Sequence, residues 1–159
     1  MHQIKKITES EKDWIKEISV KEYGGESCVF LGKKFFIDKL PGFFLEDENL
    51  EKKGLITFDI NNDVLEIMAF NAFEKFVGFG TELLNKTIEF ARNKNIKKIK
   101  VLTTNDHLDA LRFYQRRGFV IKNIYPNALE NDRKIKPEIP EIGDYNIPMR
   151  DAIELELKL

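Results

Sequence analysis

The stretch that most constrains this chain leads from an apolar strand through a short glycine loop into a helix. Apolar residues recur at alternate positions of Val64–Phe70, which predicts a strand. Lys75–Thr81 follows and opens a helix that we predict from about Gly80 to Asn93. The first turn of a helix has N–H groups without an internal partner, and the helix dipole adds partial positive charge there. Gly78 and Gly80 would let a phosphate approach these N–H groups, since a Cβ would hold it away.

Other interpretations of the two glycines compete with this anion site. A dinucleotide-binding fingerprint requires a third glycine at position 83, which is Leu83. A phosphate loop of the nucleotide-hydrolase kind requires Gly-Lys-Ser/Thr, but residues 80–82 read Gly-Thr-Glu. Both patterns fail. The remaining alternative is that the glycines only permit close packing of the helix on the strand, and the segment alone leaves that alternative open.

The rest of the chain predicts further strands and helices around this unit. Besides Val64–Phe70, the predicted strands are Gln3–Ile7, Phe43–Leu45, Gly54–Ile60, Lys97–Leu102, Phe119–Tyr125 and Ile153–Leu159. A capping box at residues 8–11 starts a helix that runs to about Tyr23, and His107–Arg117 is a second amphipathic helix. Ser27–Leu31 and Lys34–Ile37 stay unassigned. Pro126–Arg150 holds four of the five prolines and is expected to be a long functional loop without regular structure.

Composition favours one globular domain, residues 1–159. Apolar residues make up 42% and charged residues 33% of the chain, which is unlike a disordered sequence. The net charge is −1, so we expect no nucleic-acid partner and no anionic membrane surface. No run approaches the length of a membrane span.

Cysteine and histidine usage predicts a metal-free protein of the cytoplasm. Cys28 is the sole cysteine, so an intrachain disulfide is excluded, and the two histidines have no zinc-type spacing. A chain without disulfides suits a reducing compartment. The first residues lack the apolar stretch of a secretory signal.

A second motif points to a known family. Residues 105–119, Asn-Asp-His-Leu-Asp-Ala-Leu-Arg-Phe-Tyr-Gln-Arg-Arg-Gly-Phe, resemble the Asn…Ala-x-x-Phe-Tyr-x-x-x-Gly-Phe signature of the GCN5-related N-acetyltransferase (GNAT) superfamily. Lys75–Gly80 is similar to that family's Gln/Arg-x-x-Gly-x-Gly/Ala pyrophosphate loop, and it lies upstream by the usual helix-plus-strand distance. Residues 40–43, 103–106, 136–140 and 147–151 resemble an uncharacterised prokaryotic branch. Lys75 departs from the pattern, because a lysine meets a phosphate only as a point charge.

The resemblance implies an α/β fold with a central mixed, mostly antiparallel sheet flanked by helices. The sheet would splay between the strands around the loop helix, and acetyl-CoA would be the cosubstrate. Its pantetheine arm would pair with the backbone near Met68–Phe70, and the amides of Val77–Thr81 would hold the pyrophosphate. The residues that the resemblance places against acetyl-CoA are Met68, Ala69, Phe70, Lys75, Phe76, Val77, Gly78, Phe79, Gly80, Thr81, Asn105, Ala110, Phe113 and Tyr114.

Individual roles follow from the resemblance, each with an alternative. Asn105 would bond a pantetheine amide, or it caps the next helix. Tyr114 would be the general acid for the leaving thiolate, or it is a core aromatic residue. Glu66 would be the general base, or it is a solvated carboxylate while water carries the proton. Strand alternation places Glu66 on the face of Met68 and Phe70.

The resemblance implies transfer of an acetyl group from acetyl-CoA to an amine by direct attack in a ternary complex. The sequence does not identify the amine, and a homodimer is an arrangement that it leaves open. One alternative function is a non-catalytic acyl-CoA-binding regulatory module. A structural domain without a ligand is another.

Overall fold

The computed structural model describes residues 2–75 and 77–159. Its strands are β1 (Gln3–Lys6), β2 (Cys28–Phe30), β3 (Lys33–Phe35), β4 (Gly42–Glu46), β5 (Lys52–Asn61), β6 (Val64–Ala72), β7 (Lys98–Thr104), β8 (Val120–Tyr125) and β9 (Ala152–Lys158). Its α-helices are α1 (Lys12–Tyr23), α2 (Phe79–Asn93), α3 (Leu108–Arg116) and α4 (Ala128–Ile135). Short 3-10 turns lie at Glu9–Glu11, Ile37–Lys39 and Asp144–Asn146.

Seven of the described strands form one mixed sheet in the order β1-β4-β5-β6-β7-β9-β8. β6 and β7 run parallel, with α2 as the crossover between them, and the other neighbouring strands are antiparallel. β2 and β3 form a separate hairpin. The architecture confirms the predicted α/β fold with a mostly antiparallel sheet flanked by helices.

Helices cover both faces of the sheet. On one face α2 and α3 pack against β6, in a core cluster that joins Leu83 and Tyr114 to Ile67. On the other face α1 packs through Ile15 and Ile18 in a cluster that includes Ala69. The helices lie flat on the sheet because their apolar residues recur every three or four positions.

β6 contains one residue without a partner in β5, and the side chains that follow it point to the opposite face of the sheet from the one that strict alternation predicts. The pairing with β5 skips Met68, because Ile67 and Ala69 lie opposite two consecutive residues of β5. Side chains alternate along a strand, so one inserted residue exchanges the two faces beyond it. Ile67 therefore faces α2 and α3, Ala69 faces α1, and Phe70 again packs against the cluster under α2 and α3.

The two runs that the sequence left unassigned form the β2–β3 hairpin. Its turn consists of Leu31 and Gly32, which have φ angles of 49° and 76°. Positive φ at both positions is typical of the tight turn that joins two antiparallel strands. The buried carboxylate of Asp132 accepts hydrogen bonds from both turn amides, at 3.1 and 2.8 Å.

Asp132 belongs to α4, and its helix corrects the prediction that Pro126–Arg150 lacks regular structure. α4 packs Ala128 and Leu129 against Ala152 of β9. Beyond α4, the guanidinium of Arg133 donates to the carbonyl groups of residues 139, 140 and 149, which fold the proline-containing segment back on the helix. Side-chain bonds from distant residues thus order a segment whose local sequence favours turns.

Within residues 2–75 and 77–159, none of the helices has the length and apolar character needed to cross a lipid bilayer.

Candidate active site

β6 and β7 separate partway along their length. They are paired from Val64 and Lys98 to Ile67 and Val101, and no later pair joins them in the described part of the chain. Both strands nevertheless continue, β6 paired with β5 and β7 paired with β9 up to Thr104. Because each strand stays paired with its other neighbour, the gap lies within the sheet. The predicted splay around the loop helix is confirmed.

The first turn of α2 lies at this gap, and its amides are uncapped by any residue that the structure describes. Gly78 precedes the helix with φ 89° and ψ 0°, and no side chain caps it among the described residues. The first backbone bond of the helix runs from the Glu82 N–H to the Gly78 carbonyl, at 3.1 Å. In residues 2–75 and 77–159, the amides of residues 79–81 have no recorded acceptor. This end of α2 can therefore bind an anion.

The two glycines serve different purposes. Gly78 has the positive φ that L-residues rarely adopt, and a Cβ added there would meet no atom within 4 Å. A Cβ added at Gly80 would point into the protein, 3.5 Å from the Phe113 ring and 3.8 Å from the Ala72 side chain. Gly80 thus matches the close-packing alternative, whereas Gly78 matches the anion site.

Lys75 is exposed and paired with a carboxylate. Its Nζ lies 3.7 Å from Asp109 of α3, and Asp109 also accepts a 2.6 Å hydrogen bond from the Tyr145 hydroxyl. That hydrogen bond, ahead of the charge of Lys75, lowers the pKa of Asp109. The ion pair links the glycine loop to α3, and its exposure leaves the lysine free to exchange partners. Phe76 lies outside the described residues, and Val77 beside it is exposed.

Arg117 also contacts the start of α2, a role that the sequence reasoning missed. Its guanidinium lies 3.7 Å from the centre of the Phe113 ring and donates a 2.6 Å hydrogen bond to the Thr81 hydroxyl. Its buried Nε has no partner among the described residues. The four-residue spacing from Phe113 was the available signal, because such pairs stack on one helix face.

Tyr114 enters the gap from α3. The residue is 5% exposed, and its ring packs edge-on or tilted against Phe70, Phe113 and Phe119. No hydrogen bond is recorded for its hydroxyl within the described residues. Burial, and then the nearby Tyr23, raises the pKa of Tyr114 above its ordinary value. The phenol is therefore protonated at neutral pH and has an unused donor.

Glu66 lies away from this phenol, which corrects the predicted facing. Leu65 and Ile67 belong to the cluster under α2 and α3, so Glu66 faces the opposite side, and the skipped Met68 returns Phe70 to the side of Tyr114. The prediction that Glu66 shares a face with Phe70 is wrong. At about 3.3 Å per residue, Glu66 also lies roughly 13 Å before Phe70 along the strand.

An ion-pair network holds Glu66 on that side. Lys100 lies 3.2 Å from both Glu66 and the buried Glu154. Burial alone would lower the pKa of Lys100, but the two carboxylates raise it overall. These residues line an open polar cleft of about 550 Å³ at the paired end of β6 and β7.

Asn105 follows β7, and its side chain forms hydrogen bonds with the backbone just before β9. Its Nδ2 donates to the Pro148 carbonyl at 2.9 Å, and its Oδ1 accepts from the amides of Arg150 and Asp151, both at 3.0 Å. The predicted alternative of a helix cap is wrong, because His107 precedes α3 and no side chain caps it. An asparagine amide has two donors and one acceptor oxygen, so one N–H is left for a ligand.

Tyr23 is a second phenol at the gap that the sequence reasoning missed. It is the last residue of α1, and its hydroxyl donates a 2.8 Å hydrogen bond to Oδ1 of Asn71. Asn71 lies beyond the last β6–β7 pair. The sequence places Tyr23 on a helix end, but no local pattern connects it with a residue 48 positions away.

The structure thus brings most of the predicted site residues to the gap. Met68, Ala69 and Phe70 form its β6 edge, Lys75 and Val77–Thr81 lie at the start of α2, and Ala110, Phe113 and Tyr114 lie on α3. Among the described residues, the sheet is open between two parallel strands, with uncapped helix amides at the opening and the Tyr114 phenol inside it, which is the arrangement that the family resemblance implies.

Comparison with known proteins identifies the family. The family model described as the acetyltransferase (GNAT) family matches residues 7–119. Over 148 residues the chain is 38% identical to the uncharacterized protein YxbD of Bacillus subtilis (strain 168), and the match covers 93% of each chain. The chain belongs to the GNAT acetyltransferase family.

Solved structures of this family share the fold. A GNAT family acetyltransferase from Elizabethkingia anophelis with acetyl-CoA bound matches with a TM-score of 0.68 and 25% identity, over 99% of this chain and 98% of that chain. A Bacillus subtilis acetyltransferase in complex with CoA matches with a TM-score of 0.70 and 20% identity, over 99% of this chain and 97% of that chain. Family membership supports acyl transfer by this chain.

Proposed function

We propose that this chain is an N-acetyltransferase that moves the acetyl group of acetyl-CoA to an amine by direct attack in a ternary complex. One observation carries the proposal: the amides at the start of α2 and the phenol of Tyr114, none of which has a hydrogen-bond partner within residues 2–75 and 77–159, lie at the same gap in the sheet. An anion-binding helix end can hold a pyrophosphate. A protonated phenol supplies the donor that a departing thiolate needs.

The described residues fit an acyl-CoA. The amides of residues 79–81 would bind the pyrophosphate, with open space at Gly78 for close approach. The unpaired β6 edge at Met68–Phe70 would pair with the amide groups of the pantetheine arm, as a neighbouring strand would. Lys75 would exchange Asp109 for a phosphate oxygen.

Groups of this chain would stabilise the negative charge that develops in the reaction and would transfer the protons. The Phe70 N–H would donate to the acyl oxygen as negative charge develops on it. Tyr114 would give its proton to the sulfur, since a thiolate whose conjugate acid has a pKa of about 8.5 leaves more easily when protonated. The amine, with a pKa of about 10, must lose a proton before it attacks. Glu66 would serve as the base only through intervening water.

The raised pKa of Tyr114 predicts a flat pH dependence on the alkaline side. Burial destabilises the phenolate, so the folded pKa lies above the ordinary value of about 10, and the donor form is lost only as the pH rises through it. We expect kcat to show no fall caused by Tyr114 between about pH 7 and pH 10. A steady-state pH profile checks this. A descending limb near pH 9 that disappears in Tyr114→Phe would contradict it.

The proposed activity is tested with a panel of amines. Release of free thiol from acetyl-CoA is followed with polyamines, amino acids, aminoglycosides and peptides with a free N-terminus, and mass spectrometry locates the acetyl group. We expect acceptor-dependent release for at least one class. The same protein is melted with acetyl-CoA at about 100 times its Kd, which should add about 2.7 kcal/mol to the free energy of unfolding.

The two measurements separate the alternatives. Stabilisation without turnover on any amine would favour a non-catalytic acyl-CoA-binding regulatory module. Absence of stabilisation would remove acyl-CoA binding and the proposed function with it. At about 2–4 °C per kcal/mol for a chain of this size, the expected rise in Tm is about 5–10 °C.

We also propose a cytoplasmic location. The support is the unpaired, buried Cys28, which suits a reducing compartment.

A further inference from the structure

Tyr23 approaches the gap from the face opposite Tyr114. Its ring packs with the cluster under α1, which contains Ile15, Ile18 and Ala69. Its hydroxyl reaches β6 at Asn71, past the point where β6 and β7 separate. Tyr23 of α1 and Tyr114 of α3 thus approach the same edge of β6 from opposite faces of the sheet.

The backbone of Phe70 lies between the two phenols. Burial raises the pKa of Tyr23 above its ordinary value, and the nearby backbone N–H of Phe70 lowers it by less. The side chain of Phe70 packs edge-on against Tyr114, with 6.3 Å between ring centroids. Burial raises the pKa of Tyr114, and the nearby Tyr23 raises it further. The phenolic oxygen of Tyr23 therefore lies near the Phe70 N–H, the backbone group proposed above as a donor to the acyl oxygen.

A buried lysine holds Tyr23 in this place. Lys136 is 7% exposed, and its Nζ donates 2.6 Å hydrogen bonds to the carbonyl oxygens of Tyr23 and Ser27. A cation at a helix C-terminus stabilises the last carbonyl groups. Gly24 then ends α1 with φ 77°, so the backbone of Tyr23 is fixed from both sides.

We propose that Tyr23 is a second catalytic hydroxyl, which together with the Phe70 N–H binds the acyl oxygen. The inference rests on the proposed function. As the amine nitrogen bonds to the acyl carbon, the carbonyl π electrons move to oxygen, and this oxygen accepts hydrogen bonds from the N–H and from Tyr23. The C=O bond then re-forms, the C–S bond breaks, and sulfur takes the proton of Tyr114. The amide nitrogen gives its extra proton to water, and water returns a proton to the Tyr114 phenolate. To donate, the Tyr23 hydroxyl turns from Asn71 to the acyl oxygen.

This arrangement gives the two phenols different roles in the reaction. Tyr23 would stabilise the oxyanion and keep its proton, whereas Tyr114 would give its proton to the leaving group. Removing one oxyanion donor from an enzyme lowers kcat by about 10²–10³-fold. We expect that loss for Tyr23→Phe, with the acetyl-CoA Kd within about twofold of wild type, because Tyr23 adds little to ground-state binding.

The test compares Tyr23→Phe with Tyr125→Phe. Tyr125 donates to Glu154 on the β8–β9 pair, away from the gap, so the control removes a hydrogen-bonded phenolic hydroxyl that has no contact with the proposed acyl position. Both variants are assayed for kcat and KM, and their melting temperatures establish that they fold. We expect the loss only in Tyr23→Phe and only in kcat. A kcat within threefold of wild type, or a loss confined to the KM of the amine, would overturn the proposal.

A second readout does not depend on turnover. The thioester carbonyl of bound ¹³C-labelled acetyl-CoA is followed by infrared difference spectroscopy, since a hydrogen bond from Tyr23 lowers its stretching frequency. We expect a lower frequency in wild type and in Tyr125→Phe than in Tyr23→Phe. Equal frequencies in all three proteins would overturn the role of Tyr23. If wild type acetylates no amine yet shows the shift, the proposed function fails while the contact stands.

Discussion

Replacement of Tyr114 by phenylalanine is expected to lower kcat by about 10²–10⁴-fold, the usual contribution of a positioned acid or base. The hydroxyl has no partner in the described residues, so the substitution removes a donor and leaves the contacts of the ring with Phe70, Phe113 and Phe119 in place. Acetyl-CoA should bind with unchanged affinity. The free energy of unfolding should change by less than about 1 kcal/mol, since no internal hydrogen bond is lost.

An acyl donor with a more acidic thiol provides the decisive control for this prediction. Such a leaving group needs less help from an acid, so the deficit of Tyr114→Phe should shrink. The deficit of Tyr23→Phe should persist, because the oxyanion forms whatever thiol departs. Steady-state rates for both donors with both variants make the comparison. Full turnover in Tyr114→Phe, or an equal deficit with both donors, would remove the phenol from the leaving-group step.

Replacement of Gly78 by alanine is expected to raise the Kd for acetyl-CoA by about 10–100-fold. An L-residue at φ 89° is strained by about 1–2 kcal/mol, and relief of that strain would shift the amides of residues 79–81. The added Cβ would also occupy space that is open at the start of α2. A lost hydrogen bond to a charged group costs about 1.5–3 kcal/mol, and 1.4 kcal/mol is tenfold in Kd.

Gly32→Ala is the matched control for this substitution. Gly32 has φ 76° and open space around its missing Cβ, like Gly78, but it lies in the β2–β3 turn. Both variants should lose similar stability, by about 1–2 kcal/mol. Calorimetric titration with acetyl-CoA should show weaker binding for Gly78→Ala alone. Equal affinities in both variants and wild type would place the pyrophosphate elsewhere.

Local sequence patterns predicted the elements around the site because their causes are local. The glycine loop before α2, the apolar stripe of α2 and the alternation in β9 each depend on neighbours a few residues away. The family resemblance in residues 105–119 added the splayed sheet, which local patterns do not encode. The elements that were missed depend on contacts between residues far apart in the sequence. For instance, Asp132 of α4 bonds the β2–β3 turn, which lies about 100 positions earlier in the chain.

The facing of Glu66 shows why a strand pattern can mislead. Strict alternation groups Glu66 with Phe70, but one skipped residue at Met68 reverses the strand between them. The sequence of β6 contains no glycine or proline that would indicate the extra residue. Its position is set by the pairing with β5, which is a property of two strands.

The sequence by itself determined that this chain has a glycine-containing helix start and a tyrosine on the following amphipathic helix. Those properties reside in backbone conformation and in spacing along one element. The tertiary structure alone decided which groups surround the gap between β6 and β7. The skipped residue in β6, the end of α1 held by Lys136, and the engagement of Asn105 with residues 148–151 depend on contacts between distant segments, whose free energies outweigh local preference.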